Sequence, residues 1–247
     1  MKYQLKIKLA FISAIIASIC WVIGDMFVAG FNVNPEKYPL FSQTYADKVD
    51  VVLATLMLEG STERLMFGAL IAAMTAVLFL PAIWLVYQYI KQEFKSKWIV
   101  WSNYYLLVLS VLLMPLGHAV YYYVGEIHKA IYFTDQIAHP YLLEIARGFT
   151  MSLYITWGTA IIVMFLGWII YAIFIFTGKT SLPKWFGFFT PFFLTLYQHP
   201  ILYFMPSSDL KGWITSAGFN ISYLIFFSLL FILFRKQLLP SNSNNHD

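Results

Sequence analysis

Six apolar stretches follow one another along the chain, near residues 9–31, 64–90, 98–125, 148–176, 184–205 and 213–234. Each is long enough, wound at 1.5 Å per residue, to cross roughly 30 Å of hydrocarbon. The pattern predicts an all-α, polytopic integral membrane protein with six transmembrane helices. Between them the polar connections alternate short and long, and the long ones, 32–60 and 126–147, lie on one side. Within 32–60, Val49, Val52, Leu53 and Leu56 recur at i, i+3, i+4 and i+7 with Asp47, Lys48 and Asp50 interleaved. That spacing predicts a short helix lying on the membrane surface. Residues 126–147 form a second outer cap, with Pro140 placed as a first helical residue leading into the fourth span. Residues 1–239 thus make a single six-helix domain, and 240–247 a polar tail expected to be disordered.

Composition agrees with this reading. Of the 247 residues, 60% are hydrophobic and 11% charged, with a mean hydropathy of +0.69. A soluble domain carries roughly 25% charge, so this chain would leave much of a water-facing surface uncovered. The net charge of +4 is explained by topology. Lys2, Lys6, Lys8, Lys91, Lys95, Lys97, Lys179, Lys184, Arg235 and Lys236 fall on the side of the N-terminus, opposed there only by Glu93 and Asp247. Cations mark the cytoplasmic side, so both termini are expected inside a cell (plasma) membrane, and no nucleic-acid partner is implied. The basic, apolar N-terminus resembles a signal peptide. However, Asp25 interrupts its end and no small-residue cleavage site follows, so an uncleaved first helix is expected. The single cysteine, Cys20, excludes a disulfide framework and a thiolate metal cluster.

Ionisable residues inside the apolar stretches are the candidate chemistry, because charge in hydrocarbon is costly unless it faces protein, water or a ligand. His118, Tyr122 and Glu126 stand at i, i+4 and i+8 on one helical face, spanning about 12 Å. Counted from the outer end of each span, Asp25, His118, Tyr154, His199 and Asn220 all fall roughly 9–10 Å deep. Glu144, Arg147 and Tyr154 share a face of span four, and Arg64 stands with Glu63 at the mouth of span two. Convergence of these faces would enclose an outward-facing polar pocket, with Asp25, His118 and Glu126 as catalytic candidates. Tyr122, Glu144, Arg147, Tyr154, His199, Asn220 and Arg64 are then its ligand-binding candidates. Each has a structural alternative. Asp25 could be wet at the interface, His118 and His199 could satisfy carbonyls freed by Pro115 and Pro200, and Arg64 and Arg147 could snorkel. Glu63 reads better as a first-turn carboxylate, and His128 and His139 as surface residues. The triplet Asn220-Ile221-Ser222 lies within lipid and is not a glycosylation signal.

A carboxylate and a histidine held out of water suit proton transfer to or from an apolar, lipid or isoprenoid-like substrate. No cofactor is predicted, although Asp25, His118 and His199 would make a zinc site if all three converged. Against enzyme activity stand two other readings: a non-catalytic pocket that binds or transports a small ligand, and a structural or partner-binding protein whose polar layer fixes helix packing.

Trp21-Val22-Ile23-Gly24-Asp25, the lone His118 and Gly218-Phe219-Asn220 resemble an uncharacterised family of bacterial multi-pass membrane proteins, a domain of unknown function. The resemblance covers most of the chain and implies no reaction, cofactor or partner. Size and buried acid/base residues are also similar to small membrane sterol isomerases and membrane terpene cyclases, in architecture only.

Overall fold

The structure, a computed structural model, describes residues 2–238, so the expected tail over 240–247 lies outside the described residues. The chain forms nine α-helices among the described residues and no β-strand. They are α1 (Lys2–Ala29), α2 (Val51–Glu59), α3 (Thr62–Thr75), α4 (Leu80–Gln88) and α5 (Trp98–Phe133). After these come α6 (His139–Phe176), α7 (Pro191–Phe204), α8 (Asp209–Ser216) and α9 (Gly218–Leu238). Four helical segments, Gln4–Ala29, Thr62–Gln88, Trp98–Phe133 and Gln136–Phe176, are long and apolar enough to cross a membrane. A fifth exists if α8 and α9, bent by 67° at their junction, count as one crossing.

The expected fifth stretch, 184–205, breaks in two. Lys184–Phe189 is a 3-10 helix, and α7 follows with only 14 residues, about 21 Å of axis. The cause is Pro191, which drives the preceding Thr190 out of helical dihedrals to φ −67, ψ 152. Proline also shapes the second stretch. Pro81 has no amide hydrogen for the carbonyl four residues back, and the ladder tightens to a 3-10 turn over Ala76–Phe79 before α4 begins.

α5 and α6 pack along most of their length and form the spine of the bundle. With 36 and 38 residues they measure about 54 and 57 Å, far beyond a hydrocarbon layer. The expected cap over 126–147 is therefore continued helix, turned by Thr134–Ala138. Its apolar positions keep helical spacing, so Ile127, Ile131 and Ala146 bury against Phe41 and Ala54. Pro140 does stand in the first turn of α6. The helix expected on the membrane surface is α2, capped by the Asp50 side chain on the Leu53 amide. Its buried face meets protein, Leu53 and Met57 packing with Leu65, Val124 and Leu153, whereas Val52 is 70% exposed.

Two close approaches set where the polar residues of α1 and α5 lie. A Cβ added at Gly24 would stand 2.8 Å from the Gly68 carbonyl oxygen, and one at Gly68 the same distance from that of Gly24. Likewise, a Cβ at Gly117 would meet the Trp157 backbone at 2.8 Å. Asp25 and His118 are the next residues along. The opposite half of the bundle is filled by large buried rings, among them Phe79, Trp168, Tyr171, Tyr223, Phe226 and Phe227. Its polar groups are satisfied internally, Trp168 Nε1 donating to the Tyr223 hydroxyl at 2.7 Å and Tyr171 to the Val86 carbonyl at 3.1 Å.

A clip fastens the 32–60 segment. The Glu59 carboxylate accepts from Lys37 Nζ at 2.8 Å and from the Tyr38 hydroxyl at 2.7 Å. Burial works to raise the Glu59 pKa, but these two donors outweigh it and hold it below its ordinary value. The clip's contribution is therefore complete above the ordinary carboxylate range and fades as pH falls through and below it.

Gly68→Leu should destabilise the protein by about 1–3 kcal/mol through overpacking, read as a lower melting temperature in detergent. Gly148→Leu, where an added Cβ meets nothing within 4 Å, should not lower the melting temperature. For the clip, limited proteolysis within 32–50 should accelerate as pH drops below the carboxylate range. Glu59→Gln should cleave at the fast rate already at neutral pH.

Candidate functional site

Asp25 lies one turn from the end of α1 and 93 residues from His118, yet the two meet. His118 Nε2 stands 3.0 Å from Asp25 Oδ1, and Asn220 Nδ2 donates to Asp25 Oδ2 at 2.7 Å. Both carboxylate oxygens are thus taken, one by α5 and one by α9. When Asp25 is ionised its Oδ1 can only accept, which puts the His118 hydrogen on Nε2 and leaves Nδ1 a lone pair, or a donor when the ring is protonated. His118 does not satisfy a carbonyl near Pro115, the structural alternative. Its ring lies edge-on to Trp21, with centroids 4.9 Å apart.

The three residues line a cavity of about 250 Å³ together with Trp21, Tyr121, Trp157, Ile161 and Phe219. Three buried polar atoms of its wall, Trp21 Nε1, His118 Nδ1 and Asn220 Oδ1, have no hydrogen-bond partner. Buried polar groups are paired in the great majority of native proteins, and each orphan costs about 1–3 kcal/mol. All three belong to residues that line this one cavity. A second cavity, of about 350 Å³, shares Ala29, Thr215 and Ser216 with the first and adds Asn32, Ser207, Ser208 and Lys211. It forms a polar approach to the site along α8.

Other expected residues fall elsewhere. Glu126 accepts from Thr62 at 2.8 Å and from Lys129 at 3.0 Å, and is not in the cavity wall. Tyr122 packs against the α2–α3–α5 cluster; Tyr121, one position earlier, is the ring that faces the site. Arg64 neither pairs with an acid nor reaches the cavity. It donates to the Met26 carbonyl at 2.9 Å and lies 4.1 Å over the Phe31 ring, tying α3 to the end of α1. Tyr154 donates to the Asp50 carboxylate, and with Glu144 and Arg147 it borders clefts that share no residue with the cavity. His199 is exposed on α7. The neighbouring Gln198 turns inward, donating to the Gly218 carbonyl and the Ser222 hydroxyl, both at 2.9 Å, and braces α9 beside Asn220.

Asp25, His118 and His199 therefore do not converge as a zinc site requires. Among the described residues no group of three His, Cys, Asp or Glu side chains stands close enough to hold a metal ion. The two outer histidines are buried, not on the surface: His128 bonds the Val124 carbonyl at 2.7 Å, and His139 bonds Tyr45 at 2.8 Å. Depth alone had placed Asp25, His118 and Asn220 together. Trp21, Tyr121, Trp157 and Gln198 were missed because their part depends on helix azimuth; the one available signal was that Trp21 and Tyr121 stand one turn from Asp25 and His118.

Residues 1–237 match the profile of a family described as "Family of unknown function (DUF6796)", and the chain belongs to that family. No curated protein and no solved structure matches it.

Truncating Asp25 and His118 should reveal the pairing. In chemical unfolding, Asp25→Ala and His118→Ala should each destabilise, and the double variant should fall short of their sum by about 0.5–3 kcal/mol. Strict additivity would mean that the two side chains do not interact.

Proposed function

For a chain whose family carries no assigned activity, we propose a function read from the cavity: a multi-pass cell-membrane protein that binds a small hydroxylated isoprenoid-like ligand and transfers a proton on it. The single observation that carries this reading is the set of three orphan polar atoms around the Asp25–His118–Asn220 cluster. A ligand hydroxyl can accept from Trp21 Nε1 and donate to His118 Nδ1 or Asn220 Oδ1. The size sets the rest. A 150 Å³ cavity accepts benzene, so about 250 Å³ has room for roughly ten non-hydrogen atoms, and the walls Trp157, Ile161 and Phe219 suit an apolar body.

In this scheme Asp25 holds the His118 ring and compensates the charge that forms when Nδ1 takes a proton, Asn220 fixes the Asp25 carboxylate, and His118 is the acid/base. The membrane placement counts α8 with α9 as one crossing, and Lys184–Phe189 with α7 as another, to make six, with both termini cytoplasmic. The cation distribution and the outward position of the long connections support it. Transport is less well supported, because Phe79, Trp168 and Tyr223 fill the inner half and leave little for a permeant group to follow.

The test uses the purified protein in nanodiscs with geraniol and nerol in heavy water, following non-exchangeable deuterium by mass spectrometry. Wild type should incorporate label, and His118→Gln should slow incorporation about 100-fold or more while melting near the wild-type temperature. Ligand-induced stabilisation without labelling would leave a binding protein. Neither effect, across such alcohols, would leave Asp25 and His118 a structural pair.

A further inference from the structure

The rim residues that missed the cavity line a place of their own. A narrow cleft of about 130 Å³ is bordered by Lys48, Asp50, His128, Arg147, Met151 and Tyr154, and a wider one of about 680 Å³ by Asp47, Lys48, Glu144 and Arg147. The two share Lys48 and Arg147, and neither shares a residue with the cavity at Asp25. Opposite charges crowd here, yet they do not pair. The ion pairs among the described residues are Lys37–Glu59, His118–Asp25 and Lys129–Glu126. Asp50 is committed to the α2 cap and to Tyr154. Asp47, Glu144 and Arg147 have no ion-pair partner, and Lys48 has only the Tyr45 ring, 5.6 Å away.

Carboxylates and cations held apart across a gap suit a ligand that carries both signs. We propose that this cleft binds the headgroup of a zwitterionic phospholipid, phosphatidylethanolamine, its phosphate on Arg147 and Lys48 and its ammonium on Asp47 and Glu144. The guanidinium fork matches a phosphate, and a primary ammonium supplies the N–H donors that a choline lacks. The buried His128 adds a polar edge: Nδ1 is spent on the Val124 carbonyl, which leaves Nε2 for the ligand.

What favours a lipid over a soluble zwitterion is the surface below. At 100° per residue, Arg147, Met151, Ile155, Ile162 and Leu166 fall within about 100° of each other on α6. The four apolar members are all exposed. From Met151 the stripe runs about 22 Å along the helix, enough for an acyl chain in one leaflet of roughly 15 Å. The proposal uses the membrane placement given above and nothing of the cavity.

The test is native mass spectrometry of the full-length protein released from detergent with equal amounts of phosphatidylethanolamine, phosphatidylcholine and phosphatidylglycerol. Wild type should retain phosphatidylethanolamine about tenfold better than either competitor. Lys48→Ala with Arg147→Ala should lose that retention, and Asp47→Asn with Glu144→Gln should hold the ethanolamine and choline lipids alike. Equal retention of all three lipids by wild type, or wild-type retention by the Lys48/Arg147 variant, overturns the site. O-phosphoethanolamine displacing the lipid at equal concentration overturns the lipid source in favour of a soluble zwitterion. His118→Gln should retain lipid as wild type does, so the cavity reading can fail while this site stands. Failure of the protein to float with vesicles would overturn the membrane placement and this site together.

Discussion

A carboxylate removed from water is costly unless its oxygens are matched by donors. Asp25 is 17% exposed at its side chain and His118 4%, and the match comes from two helices that the chain reaches 93 and 195 residues later. That requirement fixes α1, α5 and α9 relative to each other. It is helped by the contact of Gly24 with Gly68, by the seat of Gly117 against Trp157, and by the brace of Gln198 across α7 and α9. Around this polar knot most of the packing is apolar. The knot therefore sets register, and the aromatic half of the bundle supplies bulk.

How much of this could be read beforehand follows from which quantities a sequence encodes one-dimensionally. Apolar length is one of them, and it revealed four helices long and apolar enough to cross a membrane and the apolar stretch within α9. Depth is another, and Asp25, His118 and Asn220 were correctly matched by counting residues from the helix ends. Azimuth is not, since it depends on how neighbouring helices rotate. His199 and Tyr154 share the depth of the cluster, but one faces outward and the other turns to Asp50; Tyr121 took the place expected of Tyr122 by a rotation of one residue. Local proline chemistry misled at Thr190, where hydropathy runs on while the backbone turns. Charge misled at 126–147, where polar residues suggest a loop and the buried spacing of Ile127, Ile131 and Ala146 extends the helices.

Polar residues in this bundle thus sort into separate neighbourhoods. One is enclosed, with hydrogen bonds centred on a single carboxylate and orphan atoms around an empty volume. The other is open, with charges of both signs that keep their distance. Arg147 and Glu144 belong to the second, although their place on the α6 face pointed toward the first. The two neighbourhoods share no lining residue, so their side chains can be altered separately.

The aromatic filling of the half of the bundle opposite the site has a consequence for access to it. Phe79, Trp168, Tyr223 and Phe227 are buried in that half, and among the described residues the polar approach along Ser207, Ser208 and Thr215 leads to the cavity at His118. In the proposed placement that route opens to the external face. A solute entering along that path would then come from the outside medium, and whatever left the site by it would return there.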